Sequence, residues 1–404
     1  MSDAPKIKLD HCPWHQLAGA DEVMSALKND GGEALYVGGV VRDAVLGRSI
    51  KDVDIATPLP PESVMERLKV AHIKAIPTGI DHGTVTAVCR GHAYEITTLR
   101  HDVETDGRRA KVAFTQDWQA DAARRDFTMN ALYADEDGAV YDYFNGVEDA
   151  RSGHVRFIGE PLERIQEDAL RILRFFRFHA TYGKGAPDEE GLKACIERRL
   201  SLKGLSRERI RDELFRLLSA HDPIPVFELM LKNGILEGVV PEERHLEALK
   251  HLVALERAFG LADPLRRTVA LLPADINTVW DVCKRLKLSN KDIKRAKAMV
   301  DGDITVSPDM DEKQSKAALY YLGAEVFCDR LFLSGRIGEN LGPQIDLART
   351  WHPPRLPVNG RDILNHKLAE GPDVGACLRR LEAMWVESGF SLSRDQLLEE
   401  AKRG

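Results

Sequence analysis

The stretch that decides the fold is ALYVGGVVRDAVLGRSIKDVDIAT, which runs from Ala34 to Thr57. A short apolar run stops at Gly38 and Gly39, and apolar residues at helical spacing then continue to Leu46. This order predicts a strand, a glycine turn and a helix. Because glycine has no Cβ, the turn lets backbone N–H groups approach an anion closely, and the helix N-terminus adds positive potential. The first half of the stretch therefore predicts a phosphate site.

The second half of the stretch predicts another strand, which carries two acidic side chains. Extended backbone alternates sides, so the apolar residues Val53 and Ile55 should face the core. Asp52 and Asp54 then project together from the other face, where two carboxylates repel each other unless a cation lies between them. Mg²⁺ prefers hard oxygen ligands, and a triphosphate can supply the remaining ones. The pair predicts a metal site, although an isolated Asp-x-Asp is more often a solvated strand edge.

Length and composition describe an ordinary globular protein of two to four compact units, with 404 residues, 43% hydrophobic and 30% charged. The formal net charge of −7 argues against nonspecific coating of nucleic acid, so any RNA contact must be local. The six cysteines are scattered without a Cys-x-x-Cys, which argues against a zinc site and a disulfide framework. No apolar segment reaches the length of a signal-peptide core or a membrane span, which predicts a cytoplasmic protein without a membrane partner.

The glycine pair, Arg42 and the Asp-x-Asp strand resemble, in this order, the signature of the polymerase-beta-type nucleotidyltransferases. More narrowly, they resemble the class II branch, which contains the tRNA CCA-adding enzymes and the bacterial poly(A) polymerases. The resemblance implies that Asp52 and Asp54 bind the catalytic metals, two Mg²⁺ ions. It also implies that Gly38, Gly39 and Arg42 bind the nucleotide. Neither a Gly-x-Gly-x-x-Gly nor a Gly-Lys-Ser/Thr motif follows the first strand, which argues against a Rossmann or Walker site.

A third carboxylate, Glu95, lies in a later predicted strand. Two segments, Thr84 to Cys89 and Tyr94 to Leu99, have strand composition and are joined by the predicted turn Arg90-Gly91-His92. By pattern alone, Glu95 could simply be exposed on the polar face of its strand. The resemblance implies instead that Glu95 is the third catalytic carboxylate, on a strand beside the aspartate pair.

The middle of the predicted head contains two further segments of interest. Arg100 to Val112 is polar and charged, which predicts a solvated loop, and it resembles the flexible loop near the nucleotide in CCA-adding enzymes. Asp121 to Leu132 is predicted to be helical and includes the string Arg-Arg-Asp-Phe-Thr-Met-Asn-Ala-Leu, which closely resembles the second block of the family. Arg125 can hold triphosphate oxygens, whereas Asp126 and Asn130 can bind ribose hydroxyls.

Pro161 to Ala180 is predicted to be one amphipathic helix, on which Asp168 and Arg171 lie one turn apart. Such a pair could be a surface ion pair of little energetic value. The sequence around it resembles the Glu-Asp-x-x-Arg block of the family, which selects the nucleotide. The resemblance implies that Asp168 and Arg171 read the base and that Arg174 also binds the nucleotide. Gly204 to Ile210 resembles a block that supports the neck.

Seven basic side chains are concentrated in two predicted helical segments of the second half. Their charge could belong to a solvated face or could contact RNA phosphates, and the sequence supports the two readings equally. The seven are Lys284, Arg285, Lys287, Lys291, Lys294, Arg295 and Lys297. A proline-rich connector from Trp351 to Pro357 predicts a boundary that no helix crosses.

Pattern and resemblance together predict an α+β fold, in which a polymerase-beta-like head with a small mixed sheet precedes an all-helical neck, body and tail. The predicted domains are the catalytic head (1–155), a neck with the nucleotide-selecting motif (156–222), and a body (223–305) and a tail (306–404) that bind tRNA.

The resemblance implies a CCA-adding enzyme that extends the 3′ end of tRNA from CTP and ATP without a template, with no DNA partner. The nearest alternative is a poly(A) polymerase, which the acidic balance and the absence of an Arg/Lys-rich C-terminal extension disfavour. A CC-adding or A-adding specialist is weakly disfavoured by the intact loop at Asp106 to Lys111. A catalytically dead RNA-binding protein is disfavoured because the site residues, Asp52 and Asp54 among them, are intact.

Overall fold

The structure is a computed structural model that describes residues 5–50, 52–106, 109–242, 244–366, 369 and 371–403. For residues 81, 102–106 and 109–112 it describes the backbone alone. The chain divides into two compact units, Met1–Pro241 (unit 1) and Glu242–Gly404 (unit 2). The finer division into four domains stays a prediction.

The strands of the described residues all belong to unit 1. In chain order they are β1 (Ile7–Lys8), β2 (Leu35–Val37), β3 (Val53–Thr57), β4 (Lys74–Gly79), β5 (Thr84–Cys89), β6 (His92–Thr98), β7 (Arg100–Asp106), β8 (Arg109–Phe114), β9 (Leu132–Ala134) and β10 (Ala139–Asp142).

Eight of these strands form one mixed sheet with the order β1-β10-β9-β2-β3-β6-β5-β4. β3 and β6 are parallel, whereas the other neighbouring strands are antiparallel. The sheet is covered on both faces, because Val53 and Ile55 enter one apolar core and Ala56 enters another. Each large aliphatic side chain buried in this way contributes about 1.5–3 kcal/mol. The predicted mixed sheet and α+β class are confirmed.

The predicted hairpin between β5 and β6 is present, but its turn has two residues rather than the predicted three, because His92 already belongs to β6. Arg90 and Gly91 have φ values of +47° and +83°, and Cys89 pairs with His92 across the turn. Positive φ at both central residues is the geometry that matches the twist of two antiparallel strands.

The loop predicted from Arg100 to Val112 is wrong, because β7 and β8 pair as an antiparallel hairpin over most of this segment. Pairing of backbone groups needs no apolar side chains, and this polar sequence has no hydrophobic alternation that would predict it. Residues 107 and 108 lie outside the described residues, so Arg108, which the loop prediction included, does too.

The helices of unit 1 surround the sheet and continue beyond it. They are α1 (Ala20–Lys28), α2 (Gly39–Val45), α3 (Pro61–Val70), α4 (Trp118–Ala123), α5 (Gly146–Ser152), α6 (Pro161–Glu167), α7 (Leu170–Tyr182), α8 (Glu189–Glu197), α9 (Arg207–Leu218) and α10 (Ile224–Lys232).

Two predicted helices are interrupted at polar residues, where the backbone departs from helical geometry. The helix predicted from residue 161 to 180 is broken at Asp168, which is extended with φ −152° and ψ 105°. The helix predicted from residue 121 to 132 already ends at Ala123, and Asn130 lies in a short 3-10 helix, Thr128–Asn130. In both places tertiary hydrogen bonds of charged side chains override a helical pattern.

Unit 2 is helical in its described residues and has two apolar cores, one around Phe327 and Phe332 and one around Trp385. No helix crosses the proline-rich connector, as predicted. None of the helices in the described residues is both long and apolar enough to cross a membrane. The helices are α11 (Leu246–Phe259), α12 (Pro264–Ala270), α13 (Ile276–Arg285), α14 (Asn290–Val300), α15 (Glu312–Ser334), α16 (Gly342–Thr350), α17 (Gly360–Asn365), α18 (Asp373–Glu387) and α19 (Arg394–Arg403).

Candidate active site

The glycine turn leads from β2 into α2 and requires glycine at its first position. Gly38 has φ +73° and ψ −122°, a combination that residues with a Cβ avoid. A Cβ at Gly38 would lie 3.3 Å from Nη1 of Arg125, closer than ordinary van der Waals contact. A side chain here would therefore intrude on the space in front of that arginine. The N–H of Gly38 donates to the carbonyl of Leu132 at 2.9 Å, so the N–H groups that can face an anion are those that follow it, in the first turn of α2.

The predicted carboxylates meet where β3 runs beside β6. Asp54 lies directly opposite Glu95 in the parallel pairing. As predicted, Val53 and Ile55 are buried while Asp54 reaches solvent. The surrounding protein limits the hydration of Asp54, and this desolvation, followed by repulsion from Glu95, raises the pKa of its carboxyl to about 6. Asp52 also raises this pKa, whereas Arg125 lowers it, so all of these groups act on one another electrostatically.

The donor set on these two interior strands fits a divalent cation. Carboxylate oxygens are hard ligands, and a carboxyl whose pKa is raised by like charges is stabilised by a cation between them. In the part of the chain that the structure describes, no three carboxylate, imidazole or thiolate groups are close enough to hold a metal ion by themselves. A metal at Asp52 and Asp54 would therefore take further ligands from a bound phosphate.

A cleft of about 460 Å³ opens beside Asp54. All nine residues predicted to bind the nucleotide line it, although they come from distant parts of the sequence. Asp52 and Glu95 are not among its lining residues. A larger cleft of about 790 Å³ between α1 and α3 contains none of the predicted site residues. The lining of the smaller cleft is Gly38, Gly39, Arg42, Asp54, Arg125, Asp126, Asn130, Asp168, Leu170, Arg171, Arg174, Phe178 and Arg209.

Arg125 is anchored at one end of its guanidinium and unpaired at another. Its Nη2 donates to Oδ2 of Asp121 at 3.1 Å, and the same oxygen accepts from the Tyr133 hydroxyl at 2.7 Å. The Nε of Arg125 is buried without a hydrogen-bond partner among the described residues. A buried and unsatisfied cationic N–H is costly. The side chain as a whole is 21% exposed and lines the cleft, so the phosphate contact predicted for Arg125 would use its other N–H groups.

Asp126 is nearly buried, and protein donors occupy its carboxylate. Its Oδ1 accepts from the backbone N–H of Phe127 at 2.9 Å and from Nδ2 of Asn130 at 3.0 Å. Its Oδ2 accepts from Nε of Arg174 at 2.6 Å. Burial by itself would raise the pKa of Asp126, but Arg174 and these hydrogen bonds bring it below its ordinary value. Asp126 thus stays charged and fixes Arg174 and Asn130, whereas the prediction gave it a direct ribose contact.

The two predicted base readers do not share one continuous helix, because Asp168 lies between α6 and α7 and Arg171 lies in the first turn of α7. They do not form the surface ion pair that spacing alone allowed. Oδ2 of Asp168 accepts from Nη2 of Arg209 at 2.6 Å. Arg171 pairs with Glu167 and donates to the carbonyl of Arg164 at 2.7 Å. Both readers nevertheless line the same cleft.

Helix α9 supports the cleft with two residues that the sequence interpretation did not select, Arg209 and Glu213. Glu213 is 3% exposed, accepts from Nε of Arg177 at 2.6 Å, and lies 3.6 Å from Nη1 of Arg174. The block from residue 204 to 210 indicated a supporting role for this region. A single glutamate in a charged helix carries no sequence signal of burial, so Glu213 could not have been distinguished.

The basic segment of unit 2 contains two kinds of residue. Arg285 forms a bidentate pair with Glu242, in which Nη2 lies 2.7 Å from Oε2. Arg295 donates to Asp263 at 2.7 Å and to Asp329 at 2.8 Å, and its side chain is only 16% exposed. These pairs indicate a structural role for the two arginines. An RNA contact stays a prediction for the lysines, of which Lys284, Lys287, Lys291 and Lys294 are exposed and Lys297 is half-buried.

The site combines a glycine turn with carboxylates on two neighbouring strands of a mixed sheet, and both border an arginine-lined cleft. These features define a nucleotidyltransferase. Residues 34–156 match the family model of the poly A polymerase head domain, and residues 186–246 match a probable RNA and SrmB-binding site of polymerase A. A CCA tRNA nucleotidyltransferase 1, mitochondrial, from Danio rerio is 35% identical over 388 residues, which cover 91% of this chain and 86% of the relative. A CCA-adding enzyme from Lactobacillus delbrueckii subsp. bulgaricus is 33% identical over 369 residues, which cover 89% and 90%.

Solved structures agree with these relatives. The Bacillus stearothermophilus CCA-adding enzyme in complex with CTP superposes with a TM-score of 0.72 at 28% identity and covers 94% of both chains. The Thermotoga maritima CCA-adding enzyme complexed with tRNA shares the fold, with a TM-score of 0.65 at 19% identity over 98% of both chains. The chain belongs to the family of CCA-adding tRNA nucleotidyltransferases.

Proposed function

We propose that this protein adds C, C and A in turn to the 3′ end of tRNA, with CTP and ATP as substrates and no nucleic-acid template. The observation that carries the proposal is the single cleft in which all nine predicted nucleotide-binding residues meet Asp54. Relatives that match most of the chain are named for this activity.

The carboxylates of Asp52, Asp54 and Glu95 form the proposed metal site. Asp52 and Asp54 would hold Mg²⁺, two ions in the proposed mechanism. When bound, Mg²⁺ neutralises triphosphate charge and lowers the pKa of the attacking 3′-hydroxyl. Limited hydration and then repulsion from Glu95 raise the pKa of Asp54, and the neighbouring carboxylates create the negative potential that attracts such a cation.

The glycine turn and Arg125 bind the triphosphate. The guanidinium of Arg125, whose Nη1 faces the turn, donates to a phosphate oxygen, and the N–H groups that follow Gly38 complete the cradle. Arg125 is anchored by Asp121 and needs little reorganisation when the nucleotide binds. The triphosphate is thereby held with its reacting phosphorus beside the carboxylates.

Asp168 and Arg171 select the base. Cytosine and adenine each present an exocyclic amine beside an unprotonated ring nitrogen, so a carboxylate can accept from the amine while a guanidinium donates to the nitrogen. Uracil and guanine present a carbonyl beside a ring N–H. Their carbonyl acceptor would face the carboxylate, and their N–H donor would face the guanidinium, so neither hydrogen bond could form. The same two side chains thus accept C and A and reject U and G without a template.

The RNA substrate is proposed to contact the exposed lysines of α13 and α14 through its phosphates. A cytoplasmic location stays a prediction, and the animal relatives are named as mitochondrial enzymes.

The test uses purified protein, a tRNA that lacks its last three nucleotides, Mg²⁺, and labelled CTP or ATP supplied singly and together. We expect two added nucleotides with CTP alone, none with ATP alone and three with both. Long tails from ATP alone would identify a poly(A) polymerase, the name that one matched family model carries. Products that stop at two nucleotides when both substrates are present would identify a CC-adding specialist. Either result would overturn the proposal.

A further inference from the structure

Arg42 lies in the cleft, but protein acceptors use most of its guanidinium. Nε donates to Oδ1 of Asp43 at 3.0 Å, and Nη2 donates to Oδ2 of the same carboxylate at 3.1 Å. Nη1 donates to Oδ1 of Asn130 at 2.6 Å, and Nη2 also donates to the hydroxyl of Tyr182 at 2.5 Å. These bonds engage four of the five N–H groups of an arginine that is only 6% exposed.

Tyr182, the last residue of α7, holds Arg42 from the far side. The guanidinium carbon of Arg42 lies 4.1 Å from the centre of the Tyr182 ring. Arg48 stacks on the same ring at 4.6 Å, and its Nη2 donates to the carbonyl of Thr181 at 3.1 Å. A desolvated arginine over an aromatic face is held by attraction to the ring and by dispersion. Tyr182 therefore restrains Arg42 both by its ring and by its hydroxyl.

Arg125 can be compared with Arg42, because both are arginines that line the same cleft. Its Nε is buried without a partner among the described residues, whereas the Nε of Arg42 is bonded to Asp43. The hydrogen bond of Arg125 to Asp121 uses Nη2, and its side chain is 21% exposed, whereas that of Arg42 is 8% exposed and would have to break a charge-assisted hydrogen bond to bind an anion. These two of the five arginines that line the cleft thus have different tasks.

The contacts of Arg42 fix the orientation of one amide. An arginine can only donate, so the Asn130 atom that faces it must be the oxygen Oδ1. Ionised Asp126 can only accept, so the atom that faces it must be the nitrogen Nδ2. One Nδ2 hydrogen is directed to Asp126, and the other is left for the cleft that Asn130 lines. A flipped amide would place the donor Nδ2 against the donor Nη1 of Arg42 and the acceptor Oδ1 against the carboxylate of Asp126.

We propose that Arg42, restrained by Tyr182, is a positioning residue that aims the Nδ2 donor of Asn130 at a ribose hydroxyl, and that it does not bind the triphosphate. This inference rests on the proposed function and changes the nucleotide-binding role that the resemblance implied for Arg42. Recognition of the ribose then depends on a chain of contacts from Tyr182, at the end of α7 and outside the cleft, through Arg42 to Asn130.

The test compares conservative variants. R42K keeps the charge but cannot hold Asn130 and Tyr182 together, and Y182F keeps the ring but removes the hydroxyl. R48K is the matched control, because Arg48 stacks on Tyr182 without contacting Asn130. R125K is the positive control for loss of a phosphate contact. For each protein we would measure binding of CTP, dCTP and inorganic pyrophosphate by calorimetry, and incorporation of CTP and dCTP into tRNA.

We expect R42K to lower the preference for CTP over dCTP about tenfold, roughly the value of one hydrogen bond. Y182F should lower it by a smaller factor, and R48K should leave it unchanged. Pyrophosphate binding should stay within twofold of wild type in R42K and Y182F but weaken clearly in R125K.

Weaker pyrophosphate binding by R42K, or an unchanged preference for CTP over dCTP in both variants, would overturn the proposal. Y182F decides the outcome if R42K does not fold, because removing one hydroxyl from a half-buried ring perturbs the core least. Wild-type protein that prefers CTP to dCTP in calorimetry but adds nothing to tRNA would defeat the proposed function alone, since binding tests the positioning role without catalysis.

Discussion

Two networks of arginines and carboxylates, one in each unit, differ in how completely their charges are paired. In unit 2, Glu256 is fully buried, accepts from Nε of Arg266 at 2.8 Å and pairs also with Arg267. Asp329, which is 1% exposed, accepts from Arg295 at 2.8 Å and lies 3.4 Å from Arg266. This network is closed, because its charges neutralise one another inside the helical core.

The network of unit 1 is open. The pKa of Asp54 is raised to about 6 by limited hydration and by repulsion from Glu95, and the buried Nε of Arg125 has no hydrogen-bond partner in the described residues. Like charges that face each other beside a cleft without a counterion indicate a place for a cationic ligand. The composition of the two networks is alike, and they differ in how completely their charges are paired.

The largest expected effect comes from removing one charge of the open network. We expect D54N to lower nucleotide addition at least about 10³-fold, because the metal loses a ligand. The folded-state pKa of Asp54 is raised to about 6 from an ordinary 3.8, so its contribution to stability is fully present below pH 3.8 and is lost as the pH rises through 6. D54N should therefore melt above wild type at pH 8 without metal and equally at pH 3.8.

The control for D54N is D137N, which changes an exposed aspartate in the turn before β10. It should match wild type in both activity and melting temperature. If D54N lost activity and also melted well below wild type at pH 8, Asp54 would be a structural residue and the open network would resemble the closed one.

The next effect concerns the closed network and falls on stability. E256Q keeps the shape of Glu256 but leaves two buried guanidinium groups without their shared charge, so we expect unfolding to become easier by about 3–5 kcal/mol. Chemical denaturation followed by circular dichroism measures this. E247Q removes an exposed carboxylate 3.9 Å from Lys250 and should change stability by less than about 0.5 kcal/mol. Similar small changes in the two variants would show that the pairing in the core of unit 2 is not needed for stability.

Base selection should show a smaller energetic effect. We expect D168A and R171A to slow addition from CTP and ATP and to raise the relative use of UTP or GTP, because a two-point base contact is worth about 1–3 kcal/mol of discrimination. Single-turnover rates with each of the four nucleotides measure this. E163A, on the exposed side of α6, is the control and should keep the wild-type ratios. If the readers were purely structural, both variants would lose activity equally on all four nucleotides.

The smallest effect is expected in the basic segment, where exposed lysines differ from the paired arginines beside them. K291Q/K294Q should reduce the slope of log affinity for tRNA against log salt by about 1–2, since each lost phosphate contact removes a released counterion. K250Q/K313Q neutralises two exposed lysines elsewhere in unit 2 and should leave the slope unchanged. An unaltered slope in K291Q/K294Q would mean that these lysines belong to a solvated face.

Local signals in the sequence predicted most of the sheet, and the resemblance of its motif blocks to a known family predicted which residues line the cleft. The alternation of Val53 and Ile55 with acidic residues predicted which side chains of β3 are buried. The motif blocks contained all nine residues that line the cleft as predicted.

What the sequence could not reveal are the pairings between distant residues. The carboxylate of Asp126 accepts a hydrogen bond from Arg174, and that of Asp168 accepts one from Arg209. Only the tertiary structure brings these residues together. The same contacts end helices where the hydrophobic period continues, as the break at Asp168 shows. The hairpin of β7 and β8 was missed for a different reason, since pairing of backbone groups leaves no mark in a polar sequence.

The parallel pairing of β3 with β6 also bears on how the chain folds. Parallel neighbours cannot be joined by a tight turn, so Asp54 and Glu95 meet only after α3, β4 and β5 have formed the crossover between them. Such non-local contacts form slowly, and like charges directly opposite each other oppose the pairing. Ile55 and Ile96, which are paired and fully buried one residue further along, must overcome that opposition. A divalent ion between the two carboxylates would remove that repulsion, so a divalent ion present during refolding should speed the pairing of β3 with β6.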